Sequence, residues 1–206
     1  MYTPSQFAED DLDNLHDFIQ KHSFATVISR DETEPVASHL PLLLDRSAGP
    51  RGQLIGHLAR ANSQWQTVAG QTVLSVFHGP HAYISPAWYE AKNIVPTWNY
   101  VAVHVYGKWV PDDSRESREE IARRYVDFYE ADRDVPWRLD EPDDEFIDKL
   151  LDAIVCFRID IERIEGKWKL SQNHDTTRRE RVIRALREQG GEMPSNIAAL
   201  MEQTLG

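Results

Sequence analysis

The sequence predicts a mainly β fold: an antiparallel barrel with helices added and a helical C-terminal end. Three observations carry this reading. About six extended segments with strand-like alternation lie between residues 24 and 164. No long helical crossovers of the parallel-sheet kind separate them, which speaks against a doubly wound sheet. After Asn173 the apolar spacing changes from two to the helical period.

The elements follow in order. Asp10 to His22 places Leu12, Leu15, Phe18 and Ile19 on one helical stripe. "FATVIS" (24–29) reads as a strand and "RDETE" as its hairpin loop. The partner strand is "PVASHLPLLLD" (35–45), where Pro41 implies an edge position or a bulge because proline donates no ladder hydrogen bond. Gln53 to Ala59 is a third strand. Ser63 with Gln66 has capping-box spacing and opens a helix. Leu74 to His78 is a strand, "HGPH" a turn, and "GPHAYISPAWY" a further extended piece.

The stretch "VPTWNYVAVHVYGKWV" (95–110) is the clearest strand. Thr97, Asn99, Val101, Val103 and Val105 share one face; Trp98, Tyr100, Ala102, His104, Tyr106 and Lys108 share the other. A solvated face would carry charges. This one is aromatic and hydrogen-bonding, suited to something flat and polar.

Ser117 with Glu120 forms a second capping box before a helix carrying Ile121, Tyr125 and Phe128, and a short helix spans Glu145 to Leu151. Ile154 to Ile164 alternates, with Val155, Phe157, Ile159 and Ile161 inward and Cys156, Arg158, Asp160 and Glu162 on a polar face. Thr177 with Glu180 opens a helix with the stripe Val182, Ile183 and Leu186, which Gly190 ends; Ser195 caps a last helix.

Apolar residues make up 41% of the 206, enough for a core, and no run of about 18 apolar residues exists to cross a membrane. The acidic start "MYTPSQFAEDDLDN" is not read as a signal peptide. A single cysteine, Cys156, suits the cytoplasm and reads as a silent thiol. The net charge of −11 works against a general phosphate-backbone binder but not against one local anion pocket.

Eight histidines invite a metal reading, but "HGPH" on a turn does not present two rings on one helical face, so no metal site is assigned. No GxSxG elbow, GxGxxG or P-loop is present, and no catalytic residue is assigned. In "GHLARANSQW" (56–65), Arg60, Asn62 and Ser63 stand where a strand gives way to a helix, either an ordinary cap with a surface arginine or an anion site. "EGKWKLSQN" (165–173) sets Lys167, Lys169, Ser171 and Gln172 at close spacing, as a basic spot or a solvated strand end.

"HLPLLLD", "GHLARANSQW", "GPHAYISPAWY", "VPTWNYVAVHVYG" and "KWKLSQN", in that order, resemble the FMN-binding negative transcriptional regulators of the PaiB type, over essentially the whole chain. The resemblance implies a split β-barrel of the pyridoxamine phosphate oxidase-like kind over residues 1–173, with a helical extension over 174–206 packed on it. It implies a homodimer with FMN near its interface. Arg60 and Asn62 resemble a phosphate or ribityl contact; Thr97, Trp98 and Asn99 would border the flavin; Lys169, Ser171 and Gln172 would contribute from the last block; His39, Leu40 and His57 rank second. Regulation of transcription is the implied function. A flavin-dependent oxidoreductase or a haem-binding split barrel, with His39 or His57 as ligand, are the alternatives. The segment from Asp175 holds five arginines against five acids, so direct grip on DNA through its helices is not expected.

Overall fold

The computed structural model describes residues 1–205. A single 3-10 turn (Ser5–Phe7) leads into β1 (Ala8–Glu9) and α1 (Leu12–Lys21). β2 (Phe24–Arg30), β3 (Pro35–Pro41), β4 (Leu43–Asp45) and β5 (Gln53–Ala59) follow, then the short α2 (Gln64–Val68). β6 (Thr72–Ile84), a 3-10 turn (Pro86–Tyr89) and β7 (Thr97–Pro111) come next. α3 (Arg115–Glu130), α4 (Asp144–Asp152), β8 (Ile154–Lys169), α5 (Thr176–Gln189) and α6 (Glu192–Gln203) complete the order.

The sheet runs β3-β2-β6-β7-β8-β5-β4, with β1 paired to β8. Ladders β2–β3, β4–β5 and β5–β8 are antiparallel; Phe24 lies opposite Pro41, and Gly56 opposite Phe157. Pro41 therefore sits on an edge strand, where its missing N–H costs nothing. Gly56 is needed because a Cβ there would collide with the Phe157 ring, which stacks on Trp109 at 3.5 Å.

The chain forms two compact units. The first contains Met1–Phe18, Phe77–His104 and the residues from Glu165 onward, including α5 and α6; the second contains Ile19–Val76 and Val105–Ile164. In the second, Leu43, Ile55, Ile121, Tyr125 and Cys156 form one apolar cluster, and the Tyr125 hydroxyl donates to the carbonyls of Pro41 and Ile55.

Several sequence expectations are corrected. Eight strands form, not six, and β6 runs unbroken through "HGPH". Gly79 reads as a turn residue, yet it serves packing: a Cβ there would meet the Phe18 ring at 2.7 Å. The helix starts fall upstream of the expected caps. Ser114 accepts from Ser117 N–H and begins α3, Asp175 accepts from Arg178 N–H and begins α5, and α6 begins after Gly191. Ser63 makes no cap bond; Asn62 Oδ1 takes the Gln64 N–H instead. For α2, α3 and α5 a Ser, Asp or Asn one to three residues earlier competes successfully for the free N–H groups. Cys156 is fully buried rather than on a polar face, in one cluster with Ile121 and Tyr125 of α3. Burial pushes its thiol up to about 12, so it stays protonated and unreactive at neutral pH.

Candidate cofactor site

In the first unit, the alternation of β7 separates two kinds of surface. Thr97 and Asn99 point to the side of the buried valines; Trp98 and Tyr100 point to the other. Thr97 and Asn99 meet the end of β8 at a cavity of about 330 Å³, which Lys169, Ser171, Asn173 and His174 also line.

The turn after β8 is strongly determined. Ser171 has φ of 65°, in the left-handed region that non-glycine residues adopt at a cost of about 1 kcal/mol or more. Three groups hold it there. Its hydroxyl bonds Tyr89 Oη at 3.1 Å and the Asn99 amide at 3.0 Å, and its carbonyl accepts the His174 N–H at 3.0 Å. Gln172 ties the turn from within: Oε1 accepts the Leu170 N–H and Nε2 donates to the Trp168 carbonyl. Asn99 also donates to Met201 Sδ of α6. Ser171 and Asn99 are buried and already bonded, so they shape the cavity, and Gln172 closes its turn.

Lys169 differs from these. Its Nζ donates to Thr97 Oγ1 and the Trp98 carbonyl, and among the described residues no carboxylate pairs with it. Burial, with Lys167 nearby, lowers its pKa. A partly desolvated cation beside a hydroxyl, lacking an acid, has the chemistry to hold an anion. His174 lines the same cavity, its ring against Tyr89 at 4.6 Å. Burial, Arg178 and Lys169 lower its pKa against the opposing pull of Asp175, so it is neutral at pH 7.

On the other face, Trp98 is 52% exposed, with His81 at 6.0 Å and Tyr83 at 5.9 Å between ring centroids. Tyr100 takes Lys167 Nζ at 5.3 Å from its ring. His78, His81, Trp98, Tyr100 and His104 line a second cavity of about 400 Å³. No group of three or more potential metal ligands gathers among the described residues.

The remaining expected residues lie in the second unit. Arg60 is fully engaged there: its Nη1 and Nη2 fork onto Asp113 at 3.0 and 3.1 Å, Nε donates to the Asp152 carbonyl, and Nη2 also reaches the Ile154 carbonyl. Asp113 raises its pKa. Four of its five N–H groups have partners, and α2 beside it has only 5 residues. Of the two readings the sequence left open, a cap with a surface arginine or an anion site, these bonds favour the first: the guanidinium ties Asp113 to the Asp152 and Ile154 carbonyls. Asn62 bonds Ser38 Oγ with Nδ2 and Gln64 N–H with Oδ1, so both ends of its amide are taken. His39 is exposed and bonded to Thr26 at 3.1 Å; Leu40 is buried core. His57 packs edge-on against Tyr125 at 4.7 Å, burial lowers its pKa, and its buried Nδ1 has no hydrogen-bond partner.

Sequence reasoning missed Tyr89, Asn173 as a lining residue, and His174. His174 stands one position beyond the quoted block "KWKLSQN", and only the turn at Ser171 brings it back to the cavity.

Comparisons with known proteins agree with this architecture. The family described as "Putative FMN-binding domain" matches residues 1–163. The Bacillus subtilis (strain 168) protein "Protease synthase and sporulation protein PAI 2" is 38% identical over 206 residues, spanning 100% of this chain and 98% of that protein. The flavocytochrome Anf3 from Azotobacter vinelandii shares the fold with a TM-score of 0.62 at 15% identity, over 79% of this chain and 69% of that one. The FAD and heme binding protein from Mycobacterium smegmatis aligns with a TM-score of 0.57 at 15% identity, over 90% and 80%. The mainly antiparallel sheet with added helices is thus shared with these two solved structures.

Proposed function

The chain belongs to the FMN-binding family matched over residues 1–163, and on that premise we propose that it is a PaiB-type regulator that senses or uses FMN without gripping DNA itself. The observation that carries the cofactor part is Lys169. A cation without an acid partner, beside Thr97 Oγ1 in a cavity, fits a phosphomonoester. Phe7, Ile94 and Val95, which line the same cavity, supply apolar walls for a ring. When bound, FMN supplies redox chemistry. The residues of this chain bind and orient it: Lys169 and Thr97 take the anionic end, and the Asn99–Ser171–Tyr89 network holds the turn that positions Lys169. Arg60 carries no phosphate in this reading, since Asp113 already neutralises it.

The indirect route to regulation rests on the C-terminal arginines. Arg178 pairs with Asp175, Arg179 donates to Thr204, Arg181 bonds the Tyr89 carbonyl and Glu90, and Arg187 bonds Glu202. Of five arginines in α5, Arg184 stands exposed with no such partner among the described residues. A recognition helix needs surplus cations for phosphates, and these are committed elsewhere. We also assign the working form as a cytoplasmic homodimer; exposed Trp98 (52%), Tyr83 (45%) and Val95 (74%) on the first unit favour a covered face.

The test has two arms. Titration of the purified protein with FMN and with riboflavin, followed by flavin fluorescence, is expected to show tighter FMN binding; equal affinity removes the phosphate seat. Mobility-shift titration at low salt is expected to show no sequence-specific complex. A specific complex lost on changing Arg178, Arg181 and Arg184 to glutamate overturns the indirect route.

A further inference from the structure

We propose that His174 is a second ligand for the phosphate in this cavity, making the site selective for a phosphomonoester dianion by taking up a proton as it binds. The inference rests on the FMN reading above and adds to it a residue and a measurable proton.

Three features of the structure converge on it. His174 and Lys169 line one cavity, and Thr97 at the start of β7 lines it with them, its hydroxyl oxygen accepting from Lys169 Nζ. The ring does not reach this position by chance of a loose tail. The backbone N–H of His174 is anchored on the carbonyl of Ser171, the left-handed residue fixed by Tyr89 and Asn99, and the His174 ring lies against Tyr89 at 4.6 Å. The neighbouring Asn173 amide nitrogen lies 3.4 Å from Nε2. An amide can turn its oxygen to a protonated ring as readily as its nitrogen to a neutral one.

The charges that face the ring explain the coupling. Lys169 comes from β8, Arg178 from α5, Asp175 from the cap of α5, and Tyr89 from the 3-10 turn. Burial first, and then two cations against one carboxylate, disfavour an imidazolium here. A phosphate dianion reverses that balance, and both the lysine and a protonated histidine then donate to its oxygens. Since an anion raises the histidine pKa from its lowered starting value, protons flow onto the protein between the two values. Riboflavin, which has no phosphate, brings no such reversal.

The experiment is calorimetric titration of the full chain, freed of flavin, with FMN and with riboflavin at pH 7 in buffers of different ionisation enthalpy. The same titrations are run on His174→Gln. The second ionisation of free FMN, at about pH 6, is common to both titrations, and riboflavin, which has no phosphate, supplies the baseline for each protein, while the ring titration below assigns the proton to the histidine. The wild type is expected to take up a measurable fraction of a proton more per FMN than the variant. His174→Gln is expected to bind FMN about tenfold more weakly and riboflavin within about twofold, the loss of one charge-assisted bond. Proton titration of the His174 ring by NMR in the unmutated protein is expected to show its pKa rising with FMN and staying put with riboflavin, which keeps the test intact if the variant folds poorly. Equal proton uptake in the two proteins, equal weakening of both flavins, or an unmoved ring pKa overturns the proposal while leaving FMN binding standing. No FMN binding by the wild type removes the underlying reading as well.

Discussion

Arg60 in the second unit and Lys169 in the first are both cations at strand ends, and both read from sequence as candidate FMN contacts, the arginine at the phosphate or ribityl chain and the lysine with no part assigned. Their surroundings differ, and with them the roles proposed for the two. Arg60 faces Asp113 in a two-pronged pair and fills its other donors with the carbonyls of Asp152 and Ile154. Lys169 meets a hydroxyl and a carbonyl, and no acid. The shifts follow: an acid partner raises the arginine pKa, and burial lowers the lysine pKa. A cation becomes a ligand seat when the fold leaves its charge uncompensated, and a structural clamp when the fold compensates it.

The largest effect expected from this contrast is Lys169→Glu. Reversing the charge should reduce FMN affinity by a factor on the order of 100 or more, with riboflavin little changed; fluorescence titration measures both. Arg60→Ala should act on stability instead. It leaves Asp113 and two carbonyls without their donor, and denaturant melts should show a loss of about 1 kcal/mol, moderated because the pair is partly exposed. Its FMN-to-riboflavin ratio should stay at the wild-type value.

The pH dependence sharpens the same contrast. The folded pKa of Lys169 lies below its ordinary value, so charging it opposes folding at neutral pH. Stability therefore gains as pH climbs through the window between the lowered and ordinary values. Selectivity for FMN should fade over that same window, as the seat loses its proton. Cys156 provides a smaller check in the second unit. With its thiol pushed up to about 12, the native protein should leave a thiol reagent unreacted at pH 8 and react fully once unfolded. The smallest effect belongs to exposed Arg184: Arg184→Glu should change stability by no more than about 0.5 kcal/mol.

The strand framework was readable because alternation reports burial directly. Gln53–Ala59 matches its expected bounds, and β7 buries Asn99, Val101, Val103 and Val105 as its pattern implies. Helix starts were less readable, since several nearby side chains can cap and only local geometry selects one, as Asp175 over Thr177 illustrates. Cys156 misled because its strand face alternates with charges, while α3, distant in sequence, covers that one position. "HGPH" misled because glycine marks close packing as well as turns. For the site, residue types were legible and their partners were not. Nothing in "GHLARANSQW" announces that Asp113, 53 residues on, will claim Arg60. Nor does "KWKLSQN" reveal that the turn at Ser171 returns His174 to the cavity that Lys169 lines.

The most direct test sets two neutralising variants side by side, Lys169→Gln and Arg60→Gln, and measures the ratio of FMN to riboflavin affinity at low ionic strength. The account predicts that Lys169→Gln lowers the ratio by roughly tenfold to a hundredfold and that Arg60→Gln leaves it at the wild-type value. A ratio that falls with Arg60→Gln and holds with Lys169→Gln would contradict it and return the phosphate to the arginine.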